Sequence, residues 1–309
     1  MTNLGDRVIS HLREVADLPD LSGTKYRCLR SLGHGGMGSV FLVEDTVLGR
    51  EAALKVVTLP DDAGDLAARL AAEARLLARL EHPNIIPVHD AGQLADGRVF
   101  YVMKYVRGRR LDEWRKEGVP RPAMLRMFQR VCGAVAFAHA HGVIHRDLKP
   151  DNIMIGAFGE ALVMDWGVAR VITAGAPPEA EAIIGTPEWM APEQSRGQTD
   201  RIDERTDVHA LGAILRYLLD GQGTTATEVP KALGAICDKA LSADPAGRYE
   251  SAREMSDDIE RYLDGLPVTA HRETLLDRAW RLYQRHQTAV LLILVYLLTR
   301  ALIIIFMGR

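Results

Sequence analysis

What most constrains this chain is a change of hydrophobic period near Gly108. Before it, apolar residues fall in short strand-like runs at 26–31, 40–44, 52–57, 88–91 and 98–105. A glycine cluster joins the first two runs. Leu48-Gly49-Arg50 turns the chain into the third, and Asp96-Gly97 separates the last two. One helical stretch interrupts them, residues 65–80, with Leu66, Leu70 and Leu77 on a stripe. Asp61, Asp62 and Asp65 lie near its N-terminal end, where the helix dipole favours acids. After Gly108 the apolar spacing is helical at 111–117, 122–141, 206–219, 230–241 and 251–263, with strand-like pieces only at 153–155 and 161–164. A strand-rich first third followed by a helix-rich remainder predicts an α+β chain of two lobes. Leu4, Val8, Ile9, Leu12 and Val15 recur at helical spacing, so the N-terminal extension, residues 1–23, is expected to hold a short amphipathic helix over 4–16.

Charge and cysteine usage exclude some function classes. A net charge of −3 leaves no basic excess for a phosphate backbone, so nucleic acid is not an expected partner. Cys28, Cys132 and Cys237 are far apart and form no C-x-x-C, which suits small apolar residues in a reducing compartment better than a disulfide or zinc site. Asp6, Arg7, His11 and Arg13 interrupt the first apolar residues, unlike a cleaved signal peptide.

The chemistry-bearing residues come in series. Gly33-His34-Gly35-Gly36-Met37-Gly38-Ser39-Val40 fits G-x-G-x-x-G-x-V between two strands. Glycines there let backbone N–H groups close over phosphates without Cβ obstruction, although such turns also occur for structural reasons alone. A strand, not a helix, follows, which argues against a dinucleotide site. Ala53-Leu54-Lys55 puts a lysine in an apolar strand, where it needs an anion; Glu73 on the next helix is one candidate, and a lysine at a strand edge is the plainer alternative. Then come His145-Arg146-Asp147-Leu148-Lys149-Pro150-Asp151-Asn152, Asp165-Trp166-Gly167 and Ala191-Pro192-Glu193.

With these five motifs in order over 24–263, the chain resembles the Hanks-type, eukaryotic-like protein kinases of the bacterial serine/threonine branch. The resemblance implies a two-lobed kinase fold, with one helix in a small antiparallel-sheet N-lobe and a mainly helical C-lobe. It implies Mg-ATP as the phosphoryl donor, with Mn2+ as an alternative ion, and protein serine or threonine as acceptor. Lys55 would hold the α- and β-phosphates, oriented by Glu73. Asp165 would ligate magnesium, and Asn152 a second ion. Asp147 would accept or orient the acceptor hydroxyl, and Lys149 would neutralise charge on the moving group. The nucleotide would lie under Leu32 and residues 33–40, against Ala53, with Met103 at the back of the adenine pocket. Residues 104–106, including Tyr105 and Val106, would form the hinge, and Met154 is also expected to contact the nucleotide. Lys149 and Gly185-Thr186-Pro187-Glu188 mark hydroxyl-directed enzymes in the family. A small-molecule phosphotransferase would usually lack the Ala-Pro-Glu segment.

Several positions depart from the family pattern. Trp166 stands where phenylalanine is usual, and Lys104 replaces a common hinge glutamate. Residues 168–185 hold one hydroxyl, Thr173; Glu179 and Glu181 lie near the usual phosphothreonine positions and could substitute for phosphate, two solvated glutamates being the alternative. Residues 220–230 are shortened, which puts substrate docking in doubt. A docking module with the kinase fold and weak or no phosphoryl transfer is therefore the rival functional reading.

Beyond 263 a polar linker, 264–288, gathers Arg272, Arg278, Arg281 and Arg285 before the apolar run 289–307. Nineteen residues at about 1.5 Å each suffice to cross roughly 30 Å of hydrocarbon. Arg300 opposes insertion by about 2.5–3.5 kcal/mol, against thirteen Leu, Ile, Val or Phe contributing about −0.3 to −0.6 kcal/mol each. The expectation is a single-pass anchor in the cell membrane with the bilayer as partner. The arginine flank places the catalytic domain on the cytoplasmic side. A helix buried in an oligomer is the alternative. Homodimerisation through the anchor stays open, with no G-x-x-x-G to recommend it.

Overall fold

In a computed structural model, the chain is described for residues 18–35, 38–57, 79–166, 170–171, 186–220, 229–271, 292, 295–297, 299 and 300. The first lobe is a five-stranded antiparallel sheet in the order β1-β2-β3-β5-β4: β1 (Tyr26–Gly35), β2 (Gly38–Asp45), β3 (Arg50–Val57), β4 (Val88–Gln93) and β5 (Val99–Lys104). The side-chain period of two sorts these strands onto two faces. Phe41, Val43, Leu54, Val56, Phe100 and Val102 pack on one face with Leu21, Tyr26 and Leu94. The alternate residues Val40, Ala53, Tyr101 and Met103 face the other way, into a separate apolar cluster with Ile86, Val106 and Leu162. Lys55 follows the same parity as Ala53, so the register alone turns it away from the hydrophobic layer.

The second lobe is built on helices. Among the described residues these are α1 (Leu111–Arg115), α2 (Arg121–Ala140), α3 (Pro192–Ser195), α4 (Glu204–Asp220), α5 (Lys231–Ala240) and α6 (Ala252–Leu263). Met124, Phe128, Val131 and Val135 of α2 are fully buried against Leu211, Ile214 and Leu218 of α4 and Ile236 and Ile259 of the last two helices. Ser251 starts α6 by accepting the Glu254 N–H at 3.3 Å. Small ladders cover the face toward the first lobe: β6 (Gly108–Arg110), β8 (Ile153–Gly156) and β9 (Ala161–Val163) in one, and β7 (Val143–Ile144) with β10 (Arg170–Val171) in the other. Ile86 N–H donates to the Val163 carbonyl at 3.0 Å, and Val163 N–H to that of Asn84 at 2.8 Å. These two bonds tie the loop before β4 to the second lobe.

The strand-to-helix division read from the sequence is what the structure shows, to within a few residues at each end. Periodicity missed β6, β7, β10 and α3, each of two to four residues, although it read β8 and β9, which are as short but apolar at nearly every position. Cys132 and Cys237 are buried, with burial pushing the Cys237 thiol up to about 12, whereas Cys28 is only partly covered. No helix among the described residues is long and apolar enough to cross a membrane. Arg79 and Leu80 are not helical; the rest of the helix expected at 65–80, with Glu73, and that expected at 4–16 lie outside the described residues. So do Glu179, Glu181, residues 221–228, and nearly all of the linker beyond 271 and the 289–307 run.

Candidate active site

Between the lobes lies a cleft of about 670 Å³. Its inner wall is apolar: Val40 and Ala53 from the sheet, Ile86 and Met103 at the back, and Met154 and Met164 from the second lobe. A slot walled by flat strands and flexible methionines suits a planar ring, and Leu32, Tyr105 and Val106 line it as well. At the inner end stand Lys55, Asp147, Lys149, Asn152, Asp165 and Thr186.

Asp147 is the most tightly fixed of these. Its Oδ1 accepts from the Thr186 N–H and hydroxyl, each at 3.1 Å. Its Oδ2 lies 2.9 Å from Lys149 Nζ and accepts from Asn152 Nδ2 at 3.2 Å. Asn152 also donates to the Asp147 carbonyl at 2.8 Å, so amide and carboxylate turn as one unit. Lys149 Nζ donates to Thr186 Oγ1 at 2.7 Å. A hydroxyl can therefore reach this lysine and this carboxylate at once. Across the cleft Lys55, 5 % exposed, pairs with Asp165. The anion that the sequence argument sought in Glu73 is, among the described residues, supplied by Asp165, brought from 110 positions along the chain.

The backbone that presents these groups is held from behind. Arg146 and Asp165 both have positive φ, 69° and 60°, a conformation non-glycine residues rarely adopt without support. For the Arg146 turn, buried Asp207 of α4 supplies that support: it accepts from the N–H of His145 at 2.8 Å and of Arg146 at 2.9 Å, and contacts His139 Nε2 at 2.8 Å. Burial pushes the Asp207 carboxyl up, but His139, His145 and these N–H donors outweigh it and hold the group below the usual carboxylate range. Gln194 Nε2 donates to the Arg146 carbonyl at 2.6 Å. His145 Nδ1 accepts from the Asp147 N–H at 3.3 Å, so its Nε2 carries the proton donated to the Met164 carbonyl at 3.0 Å. This one imidazole joins the Asp147 turn to the Asp165 turn. Trp166 stacks on it with ring centroids 4.5 Å apart and donates from Nε1 to the Val163 carbonyl at 3.3 Å. The larger indole packs where phenylalanine was expected.

Of the other sequence candidates, Gly33, His34 and Gly38 line the cleft roof. Ser39 sits on β2 opposite His34 and Val56 and is not among the lining residues, and Gly35 ends β1 opposite Gly38. Gly36 and Met37 lie outside the described residues. Sequence reasoning did not name Ile86, assign Thr186 a contact or give Asp207 a role. The apolar pair Ile85-Ile86 after His82-Pro83-Asn84 was the one available signal for the first.

The groups present fit a nucleotide with its magnesium. Asp165 offers a carboxylate, and because Nδ2 of Asn152 is engaged by Asp147, its carbonyl oxygen is the atom left for a cation. A pair of hard protein oxygens is enough for magnesium when phosphates and water complete its shell. Among the described residues a Cβ on Gly33 would meet nothing within 4 Å, so packing there does not demand that glycine.

Comparison with known proteins agrees with this geometry. The family model described as "Protein kinase domain" matches residues 26–267. The serine/threonine-protein kinase PknD of Chlamydia felis is 33% identical over 298 residues, covering 79% of this chain and 31% of the relative. The protein of the same name in Protochlamydia amoebophila is 34% identical over 313 residues, covering 83% and 32%. The chain thus spans about a third of the length of these curated relatives. The crystal structure of the Mycobacterium tuberculosis PknI kinase domain matches with a TM-score of 0.61 at 29% identity, over 78% of this chain and 96% of that one.

Proposed function

The chain belongs to the protein kinase family, among its Hanks-type bacterial serine/threonine members, and from that premise we propose that it transfers the ATP γ-phosphoryl group to serine or threonine hydroxyls of proteins. The observation that carries the reading is the convergence of Lys149, Asn152 and Thr186 on Asp147, facing Lys55 and Asp165 across an apolar slot. The acceptor hydroxyl takes the place beside Asp147 and Lys149 that the Thr186 hydroxyl shows to be reachable. Its proton passes to the Asp147 carboxylate as its oxygen bonds to the γ-phosphorus, and the bond from that phosphorus to the leaving ADP oxygen breaks. Lys149 stabilises charge on the moving group. Lys55 moves from Asp165 to the α- and β-phosphates. Asp165 and Asn152 would hold magnesium, which when bound supplies neutralisation of phosphate charge; manganese could serve through the same oxygens.

The same reading extends to location. Supporting a single-pass anchor are the apolar run 289–307 and the arginines at 272, 278, 281 and 285, which favour a cytoplasmic catalytic domain. The bilayer is then a partner, and self-association through the anchor follows only if the helix dimerises.

The test is phosphate transfer from labelled ATP to the chain itself and to a generic protein, beside Asp147→Asn. The variant should lose roughly 10²–10⁴-fold in rate while binding nucleotide as before. Equal transfer by both proteins would remove Asp147 from the reaction. No transfer by the parent chain, despite magnesium-dependent ATP binding, would favour the docking module.

A further inference from the structure

On the reading above, Lys55 has to exchange partners. It pairs with Asp165 in this structure and turns to the phosphates when Asp165 is needed for magnesium. Its side chain is only 6% exposed, so water does little for the charge between those partners. Among the described residues one further group stands against it, and neither step consumes that group. Tyr101 of β5 is directly opposite Lys55 of β3 in the antiparallel register, on the same face of the sheet. Lys55 Nζ stands over the Tyr101 ring, 5.9 Å from its centroid, within the range at which a ring face attracts an ammonium. The ring itself is well held: Tyr101 is partly buried and packs on the apolar cluster of Ala53, Ile86, Met103, Val106 and Leu162. It is not among the residues lining the cleft, so it reaches a bound nucleotide only through Lys55.

We propose that Tyr101 is a positioning residue, which keeps the Lys55 ammonium aimed into the cleft as it passes from Asp165 to the phosphates. The proposal rests on the kinase reading through the role of Lys55. A neutral ring suits this place better than a second carboxylate. It attracts the ammonium through the negative face of its π-system, yet carries no net charge to repel the triphosphate or to compete for magnesium. A cation over a ring face needs no single hydrogen-bond geometry, so Nζ keeps this contact while its hydrogen-bond partner changes. The contact is also internal to the first lobe, between two paired strands, whereas Asp165 reaches Lys55 from the second lobe. A movement between the lobes alters the ion pair and leaves the ring where it is.

The experiment measures equilibrium binding of Mg-ATP and of adenosine to the full chain, to Tyr101→Leu and to Tyr101→Phe, each with Lys55 intact and in a Lys55→Met background. Adenosine fills the apolar slot without phosphates, so its affinity reports on the slot alone. Tyr101→Leu should weaken ATP binding by roughly five- to tenfold and leave adenosine unchanged. Tyr101→Phe keeps the ring and should bind both as the parent does. In the Lys55→Met background, Tyr101→Leu should cost nothing further. Equal losses for ATP and adenosine would make Tyr101 a packing residue of the slot and overturn the proposal. So would a Tyr101→Phe chain as weak as Tyr101→Leu, or a loss that persists without Lys55. Should Tyr101→Leu fail to fold, Tyr101→Met supplies the same comparison. Labelled phosphate transfer, run beside these titrations, keeps the two readings apart. A parent chain that binds ATP and transfers nothing ends the kinase reading, while a Lys55-dependent effect of Tyr101 on ATP affinity still supports the proposal.

Discussion

Gly33 and Gly38 belong to one glycine-rich turn, yet a side chain at each would meet different surroundings. A Cβ at Gly38 would lie 2.0 Å from the Val56 carbonyl oxygen, and its φ of +133° is a conformation that side chains rarely tolerate. Gly38 is thus required by the β2–β3 pairing itself. Gly33 has no such constraint. We expect Gly38→Ala to lower stability by about 1–3 kcal/mol, the order of one strained residue, seen as a fall in Tm without any nucleotide. Gly33→Ala should leave the Tm unchanged and raise the KM for ATP. Should both variants behave alike, the division between a structural and a nucleotide-facing glycine is wrong. The sequence could identify the turn but not this division, because what a Cβ would strike is set by a neighbouring strand.

Among the elements, α4 does the most to position the site, through residues with no contact to the cleft. Besides Asp207, its Thr206 donates to Glu193 Oε1 at 3.1 Å, and Glu193 takes a two-pronged bond from Arg248 at 2.7 and 2.8 Å. Both members of that ion pair are almost wholly buried. Arg248→Ala would leave the Glu193 charge without its partner, so a loss of about 3–5 kcal/mol is expected by chemical denaturation. Replacing both residues by apolar ones of similar size should cost much less. The pair also gives a pH dependence with a definite sign. Burial raises the Glu193 carboxyl, but Arg248 outweighs it, and the Asp207 carboxyl is likewise held low. Folded values below unfolded ones mean stability present above about pH 4 and lost as pH falls through the folded values. Glu193→Gln should flatten that acid limb in a Tm-against-pH series; an unaltered limb would assign it to other groups. On α6, Asp258 accepts from Tyr249 Oη, the Thr269 N–H and hydroxyl and the Ala270 N–H, all within 3.0 Å. With Val268 buried, the chain stays packed on the second lobe to at least residue 270, so the start of the stretch read as a linker is held by the fold.

At the scale of the whole molecule, two lobes share one apolar cluster, and the cleft lies where that cluster meets a polar edge. If residues 289–307 anchor the protein, the full chain should stay with membranes through an alkaline wash while a version ending at 271 does not. Release of both would refute the anchor. The sequence by itself determined the division into a strand lobe and a helix lobe, because hydrophobic period is a local property written along the chain. Lys55, Asp147, Lys149, Asn152 and Asp165 were named through the resemblance to the kinase family, which short motifs legible along the chain carry. Only the tertiary structure decided that Lys55 meets Asp165 across 110 positions, that Asp207 braces the turn at Arg146, and that the Tyr101 ring stands against Lys55. Each of those contacts joins residues from different elements. Their meeting depends on how strands and helices pack against one another, which no spacing along the sequence records.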